Sequence, residues 1–352
     1  MTVVGRRIRF AMRIVVALGL AGVASWFVYP RVSGPGGRRR VEVVIARGAG
    51  PSAVGRSAAR AGVVRSGLLF GWYLRLSGAM PRLRYGRHRI RADATPREIL
   101  AEICRPAPGE ATRVTIPEGN DVFDVAGILQ EAGVVDADDF LTAVRDRALL
   151  ARLGVPDLTA EGYLYPDTYE LRAGPAEAPR IVARMVETFH RRTADALAGL
   201  APRARHDVVV LASIVEEEAR AAGERPRIAG VFRNRLRSSD PIVPRVLQAD
   251  PTVSYGCRAH PSAPSCRGFR GRLARRHTQD AANPYNTYVH PGLPPGPICN
   301  PGLAAIVAAR HPLETDEVYF VARGDGTHAF ARTLPDHERN VRRFRDTPPP
   351  SN

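Results

Sequence analysis

The segment DVVVLASIVEEEARAA, Asp207 to Ala222, places three adjacent carboxylates behind an apolar run. Its first half is apolar on every side, which a helix tolerates only when it is buried there. Glu216 is the first ionisable group after that run, and it continues the row of Val209 and Ala212, whose small side chains leave room above it. A carboxyl at the mouth of an apolar pocket has its pKa raised, as a general acid working near neutral pH requires. The ordinary alternative is an i,i+4 surface pair between Glu216 and Arg220. Spacing alone does not choose among Glu216, Glu217 and Glu218.

Three further segments mix aromatic and short polar residues. EGYLYPDTYEL (Glu161 to Leu171) offers Tyr163, Tyr165, Asp167 and Tyr169; LQADPTVSYG (Leu247 to Gly256) offers Gln248, Asp250, Thr252 and Tyr255. NPYNTYVHPGLPPGPICNPG (Asn283 to Gly302) offers Tyr285, Asn286, Thr287 and Tyr288 before a loop stiffened by Pro and Gly. Sugar rings carry an apolar face and a hydroxyl rim, so this mixture suits a saccharide groove; loops held together by Tyr and Asn caps have the same composition. Of the four cysteines none forms a CxxC pair, so zinc is not expected. Cys257 and Cys266 are spaced to close a small disulfide loop, whereas Cys104 and Cys299 read equally well as packed thiols.

The elements that must position these groups form two folded parts. Val41–Ile45 and Arg82–Ile90 have strand composition, Ala53–Ala61 reads as a helix ending at Gly62, and Ala94–Cys104 as a helix opened by Thr95 and Pro96. At an offset of 71, Val43–Val64 aligns with Val114–Val135: Ile45, Gly48, Val54 and Ala61 to Val64 recur as Ile116, Gly119, Val125 and Ala132 to Val135. That is a duplicated strand, Gly turn, helix and Gly cap. Beyond Leu158 the pattern is helical over Pro179–Leu200 and His206–Ala222, loop-rich to Pro301, and helical again over Gly302–Arg310. A hairpin of Glu317–Arg323 with His328–Thr333 follows. Helices and antiparallel strands that do not alternate as βαβ define an α+β fold.

The chain has 352 residues and a formal charge of +16, with 44% hydrophobic and 24% charged residues, a globular composition. Every basic residue is Arg, which reflects codon usage more than function, and no nucleic-acid-binding motif accompanies the charge, so no nucleic acid partner is expected. Arg6, Arg7, Arg9 and Arg13 precede an uncharged run from Ile14 to Tyr29 that ends in Trp26, Phe27 and Tyr29. This pattern predicts one transmembrane helix, with the N-terminus cytoplasmic and everything after Pro30 outside the plasma membrane. A cleaved signal peptide is the competing reading, weakened by the aromatic cluster where cleavage should follow. RVSGPGGRRR, residues 31–40, has the composition of a linker.

TIPEG (Thr115 to Gly119), EGYLYPDTY, LASIVEEE (Leu211 to Glu218), VFRNRL (Val231 to Leu236), LQADPTVSYG, NPYNTYVHPGLPPGPICNPGLAAI and YFVARGDGTHAFARTLPDHERNV, in this order from about Val114 to Val341, resemble the YceG-like endolytic murein transglycosylases. The resemblance implies a membrane anchor over residues 1–30, a small LysM-like α/β module over 41–112, an α+β catalytic domain over 113–345, and a disordered tail over 346–352. It implies peptidoglycan glycan strands as substrate, cleaved at the β-1,4 bond between N-acetylmuramic acid and N-acetylglucosamine to leave 1,6-anhydro ends, with no cofactor or metal. Glycan-polymerising synthases are the partners it suggests. The first Glu after SIV is the family's acid/base catalyst, which selects Glu216. Tyr163, Asp167, Tyr169, Gln248, Asp250, Thr252, Tyr255, Tyr285, Asn286, Thr287 and Tyr288 are the expected substrate-binding set. Departures are Glu217 where a basic residue is common, Ala219 where a hydroxyl residue is common, Ala249 where Ser is common, and an apparent insertion from Cys257 to Arg276. Two rival readings are a hydrolytic muramidase pairing Glu216 with a second acid such as Asp250, and a non-catalytic wall-binding scaffold.

Overall fold

The computed structural model describes residues 39–46, 48–105, 111–240 and 245–344, together with Tyr29, Val32, Gly34, Pro35, Gly37 and Val243. The expected membrane span before Tyr29 and the tail after residue 344 lie outside the described residues. Among the described residues no helix is long and apolar enough to cross a membrane. The chain divides into two compact units, Met1–Glu110 and Ala111–Asn352.

In the first unit, β1 (Arg40–Ile45) pairs antiparallel with β2 (Gly86–Arg91), Val43 lying opposite His88. Alternation along β1 buries Val43 and Ile45 and leaves Glu42 and Val44 outside, as a half-covered sheet requires. Helices α1 (Pro51–Arg60), α2 (Gly67–Leu76) and α3 (Pro96–Cys104) add Val54, Phe70, Leu74 and Ile99 to the same core. Thr95 and Glu98 cap α3 reciprocally: Thr95 accepts from the Glu98 N–H, and Glu98 accepts from the Thr95 N–H at 2.7 Å. α2 was not legible as a helix, because its apolar residues are not confined to one stripe. The expected linker is partly tied down, since the Gly34 N–H donates to the Asp93 carbonyl at 3.1 Å and Arg40 already belongs to β1.

The second unit opens with the same design. β3 (Ala111–Thr115) leads through Gly119 into α4 (Val122–Glu131), and Gly133 closes the helix, each step displaced by 71 from Gly48, α1 and Gly62. All four glycines have positive φ, from +69° to +81°, which explains why the repeat retains them. The chain continues through α5 (Ala137–Ala143) and α6 (Arg147–Arg152) to β4 (Thr168–Arg172), antiparallel to β3, and then α7 (Ala178–Thr193). α8 (Pro202–Glu218), α9 (Arg225–Arg237), α10 (Asp250–Ala259) and α11 (Arg275–Thr278) precede α12 (Leu303–Arg310). The β5 (Tyr319–Ala322) and β6 (His328–Ala331) hairpin and α13 (Leu334–Phe344) complete an α+β architecture. The region expected to be loop-rich therefore holds α9 and α10. Five Arg in α9 mask its apolar face, and Pro251 in the first turn of α10 reads as a breaker although Pro suits that position.

α8 is the central helix: Val209 to Val215 are all buried, as a run apolar on every side demands. Cys257 and Cys266 are disulfide-bonded with their Cα atoms 4.8 Å apart, and the Asn283 amide packs against both sulfurs. Closing this short loop stabilises the unit by about 2.5–3 kcal/mol on the chain-entropy estimate. Double replacement of Cys257 and Cys266 by Ser is expected to lower the melting temperature, and reductant is expected to lower that of the wild type but not of the variant. Equal melting temperatures with and without reductant in the wild type would show that the bond carries no stability.

Candidate functional site

Ser213 is the one polar residue in the buried stretch of α8, and it locks a loop to the helix. Its hydroxyl donates to the Val210 carbonyl at 2.8 Å and accepts from the Ile298 N–H at 3.0 Å, while the Cys299 thiol donates to the Ser213 carbonyl at 3.3 Å. The segment ICNPG is thereby laid along α8 and delivers the N-terminus of α12 to the helix end. There the Gly302 N–H donates to Glu216 Oε2 at 3.0 Å.

The other carboxylate oxygen, Oε1, accepts from Arg225 Nη2 at 2.8 Å. Glu216 keeps 6% and Arg225 14% of side-chain surface, so the pair lies mostly inside the protein. α8 ends at Glu218 and Ala219 leaves the helical conformation, so the i,i+4 surface pair with Arg220 does not form. The apolar mouth expected above Glu216 is polar instead. Arg225 opens α9, and the hairpin supports that turn: Glu224 accepts from the His328 N–H at 3.1 Å and contacts its Nδ1 at 2.7 Å, and Arg227 pairs with Glu317. The sequence does not point to Arg225, which lies nine positions after Glu216 and beyond the end of α8.

The TIPEG turn forms the opposite wall. Gly119, at φ +81°, donates its N–H to the Asn300 carbonyl at 3.1 Å, and a Cβ there would lie 3.0 Å from Glu217 Oε1 and 4.0 Å from Glu216 Cγ. Exposed Glu118 folds its carboxyl against Gly302, where a Cβ would sit 2.0 Å from Oε1. Glycine at 302 thus admits a second carboxyl beside the backbone that holds Glu216. Burial raises the neighbouring Glu217 carboxyl to about 7, with the Glu216 charge adding and a bond to Cys299 opposing. Glu217 retains open surface yet has protein on several sides, which is how exposure and desolvation coexist. Burial likewise lifts Glu218 to about 7, with the Asp250 charge adding and Arg235 opposing. Burial pushes the Cys299 thiol well above its ordinary value, which disfavours the thiolate.

The sign of the Glu218 shift makes a test. The folded chain holds a proton between its ordinary 4.5 and about 7 that the unfolded chain has released, so this stability is present below 4.5 and is lost as pH rises through 7. Glu218→Gln is expected to flatten that loss and, above pH 7, to gain on the order of 2–3 kcal/mol. Thermal unfolding of both proteins across pH 4–9 checks it; parallel curves would remove the assignment.

Much of the expected binding set proves to be framework. Tyr163 is buried with its hydroxyl bonded to His206 Nδ1 at 2.8 Å, and Tyr169 donates to the Tyr165 carbonyl. Thr252 and Thr287 are buried and joined hydroxyl to hydroxyl at 2.8 Å, and Asn286 is buried on the His277 and Asp280 carbonyls. Tyr255 lies in the core, edge-on to Tyr285 with ring centroids 4.9 Å apart. These residues clasp loops and have almost no surface for a ligand; sequence could not separate the two roles because both need aromatic and amide groups. Asp167 pairs with Arg192 at 3.0 Å. Tyr288 donates to Asp250 at 2.7 Å, and Asp250 is exposed. Gln248 is exposed and, among described residues, is the non-glycine residue with positive φ (52°), a strained position typical of binding loops.

Glu161 and Asn300 join the segments. Asn300 donates to Glu161 Oε1 at 3.0 Å and to the Asn120 carbonyl at 2.8 Å, and accepts from the Leu164 N–H at 2.9 Å. Glu161 also accepts from the Val122 N–H at 3.0 Å, and burial, then the Asp121 charge, push its carboxyl well above the usual range. A cavity of about 590 Å³ lined by Asp157, Arg203, His206 and Asp207 lies at the other end of α8, about 13 Å of helix away from Glu216. Among the described residues no group of three His, Cys, Asp or Glu is arranged to hold a metal ion.

Fold and site together define an α+β protein with a cluster of carboxylates at the C-terminal end of a buried helix. The chain belongs to the YceG-like family, whose model matches residues 43–343. It is 27% identical over 325 residues to the endolytic murein transglycosylase of Bacillus subtilis, covering 86% of this chain and 84% of that protein. It is 26% identical to the endolytic murein transglycosylase of Streptococcus pneumoniae, covering 94% of this chain and 64% of that longer protein. The crystal structure of a YceG-like protein from Listeria monocytogenes matches with a TM-score of 0.55 at 26% identity, covering 86% of this chain and 98% of that one.

Proposed function

We propose that this protein is a lytic transglycosylase that cuts peptidoglycan glycan strands internally, with Glu216 as its acid/base catalyst. The observation that carries the reading is the Glu216 carboxyl, oriented through both oxygens by Arg225 and the Gly302 N–H beside the TIPEG turn. A fixed carboxyl needs no further reorganisation to reach a substrate oxygen. Protonated Glu216 would give its proton to the glycosidic oxygen as the C1–O bond between N-acetylmuramic acid and N-acetylglucosamine breaks. The resulting carboxylate would take the proton of the muramoyl C6 hydroxyl as that oxygen bonds to C1. The products are a free 4-hydroxyl and a 1,6-anhydro end, and no water is consumed.

The same reading places the enzyme outside the plasma membrane, anchored by residues 1–30; the Cys257–Cys266 bond supports an oxidising compartment. Strand-polymerising synthases are its natural partners, since a cutter that ends strands works where they are made. Mass spectrometry of purified glycan strands after digestion is the test, with 1,6-anhydro ends expected. Reducing ends would instead select a hydrolytic muramidase, which needs a second carboxylate. Glu118, beside Gly302, is better placed for that role than Asp250, which is bonded to Tyr288.

A further inference from the structure

α2 in the first unit carries an apolar face that nothing in the described structure covers. Leu68, Leu69, Trp72 and Leu76 are 72%, 53%, 56% and 63% exposed, whereas Phe70 and Leu74 of the same helix are buried. At about 100° per residue the four exposed side chains fall within one arc of roughly 100°, and exposed Arg75 borders it. Large apolar side chains grouped in this way on a soluble face mark an interaction surface. The chain on either side of the helix carries charge of one sign: between Glu42 and Asp93 it has ten Arg and no Asp or Glu.

The apolar run Ile14–Tyr29 ends on this helix. The Tyr29 ring meets that of Tyr73, the neighbour of Trp72, edge-on at 5.9 Å between centroids, and Gly34 is hydrogen-bonded to Asp93. Tyr29, the last residue of the run, is therefore seated on the first unit. If the run spans a bilayer, α2 is held at the membrane surface. Leu and Trp on one face with Arg at its border and no acidic residue in the helix or its flanking segments is the pattern of a helix lying in an anionic lipid interface.

We infer that the exposed face of α2 docks into the outer surface of the anionic bilayer that holds the anchor. This rests on the membrane-anchored reading above. The docked unit would sit flush with the lipid rather than swing on a tether.

The chain contains two Trp, so Trp26→Phe leaves Trp72 as the only indole. The full chain with that substitution would be reconstituted in phosphatidylcholine vesicles containing phosphatidylglycerol whose acyl chains are brominated just below the headgroup. Quenching of about half or more of the Trp72 emission is expected, with protection from aqueous acrylamide. Adding Leu68→Glu and Leu76→Glu, both at exposed positions, should abolish the quenching while circular dichroism stays unchanged. Trp72 open to acrylamide and unquenched by the lipid would overturn the inference. So would Trp72 shielded from both, because the second unit, a glycan or a second copy then covers the face. Release of the chain by alkaline carbonate would remove the anchor reading on its own. In unwashed vesicles, bromolipid quenching would still support docking and its absence would overturn it.

Discussion

Replacing Glu216 with Gln is expected to remove glycan cleavage while leaving the fold intact. Gln keeps the size of the side chain and can still accept from the Gly302 N–H, but it has no proton to transfer and no charge for Arg225. General acid–base catalysis is worth on the order of 10²–10⁴-fold, so turnover should fall by at least that range. Glu217→Gln should retain most activity, because the Glu217 carboxyl is bonded to Cys299 and is not the one held by Arg225 and the Gly302 N–H. Glu217→Gln should unfold close to the wild type and Glu216→Gln at a lower temperature, because the Arg225 charge is left unpaired; wild-type circular dichroism below the transition separates loss of chemistry from loss of structure. Anhydro ends formed at the wild-type rate by Glu216→Gln would sink the mechanism. Glu217→Gln losing as much as Glu216→Gln would show that the two carboxyls act as a pair.

Asn300→Ala should give the largest stability change of the single substitutions considered. Its side chain serves three otherwise buried partners: the Leu164 N–H, the Asn120 carbonyl and the Glu161 carboxyl. Ala replaces none of these bonds: the buried Leu164 N–H is left without a partner, at about 1–3 kcal/mol, whereas the Asn120 carbonyl keeps the Asn300 backbone N–H and Glu161 keeps the Val122 N–H, so each of these loses one bond worth about 0.5–1.5 kcal/mol. A total of roughly 3–5 kcal/mol corresponds to a drop of about 10 °C or more in a unit of this size. Activity should fall as well, because Asn300 fixes both the TIPEG turn and the approach to Gly302. A shift of only about 2 °C would mean that solvent reaches and satisfies these groups.

These two residues differ in how legible they are. Glu216 stands out because an apolar run ends on it, and motif resemblance then singles it out from Glu217 and Glu218. Asn300 looks like any loop amide, since its three partners come from sequence positions 120, 161 and 164 and meet it only after folding.

What the sequence by itself determined was local: the repeat of strand, Gly turn and helix at an offset of 71, the buried run of α8, the hairpin, and a spacing that lets Cys257 and Cys266 close a loop. Periodicity, positive-φ glycines and short spacings are properties of neighbouring residues, so they can be read without a fold. Tertiary structure alone decided that Arg225 and the Gly302 N–H meet Glu216, that Glu118 reaches Gly302, and that Tyr163, Thr252, Asn286 and Thr287 brace loops instead of offering surface to a ligand. A polar or aromatic side chain has the same sequence signature whether it bonds a buried carbonyl or a ligand. Only the burial set by distant packing separates the two.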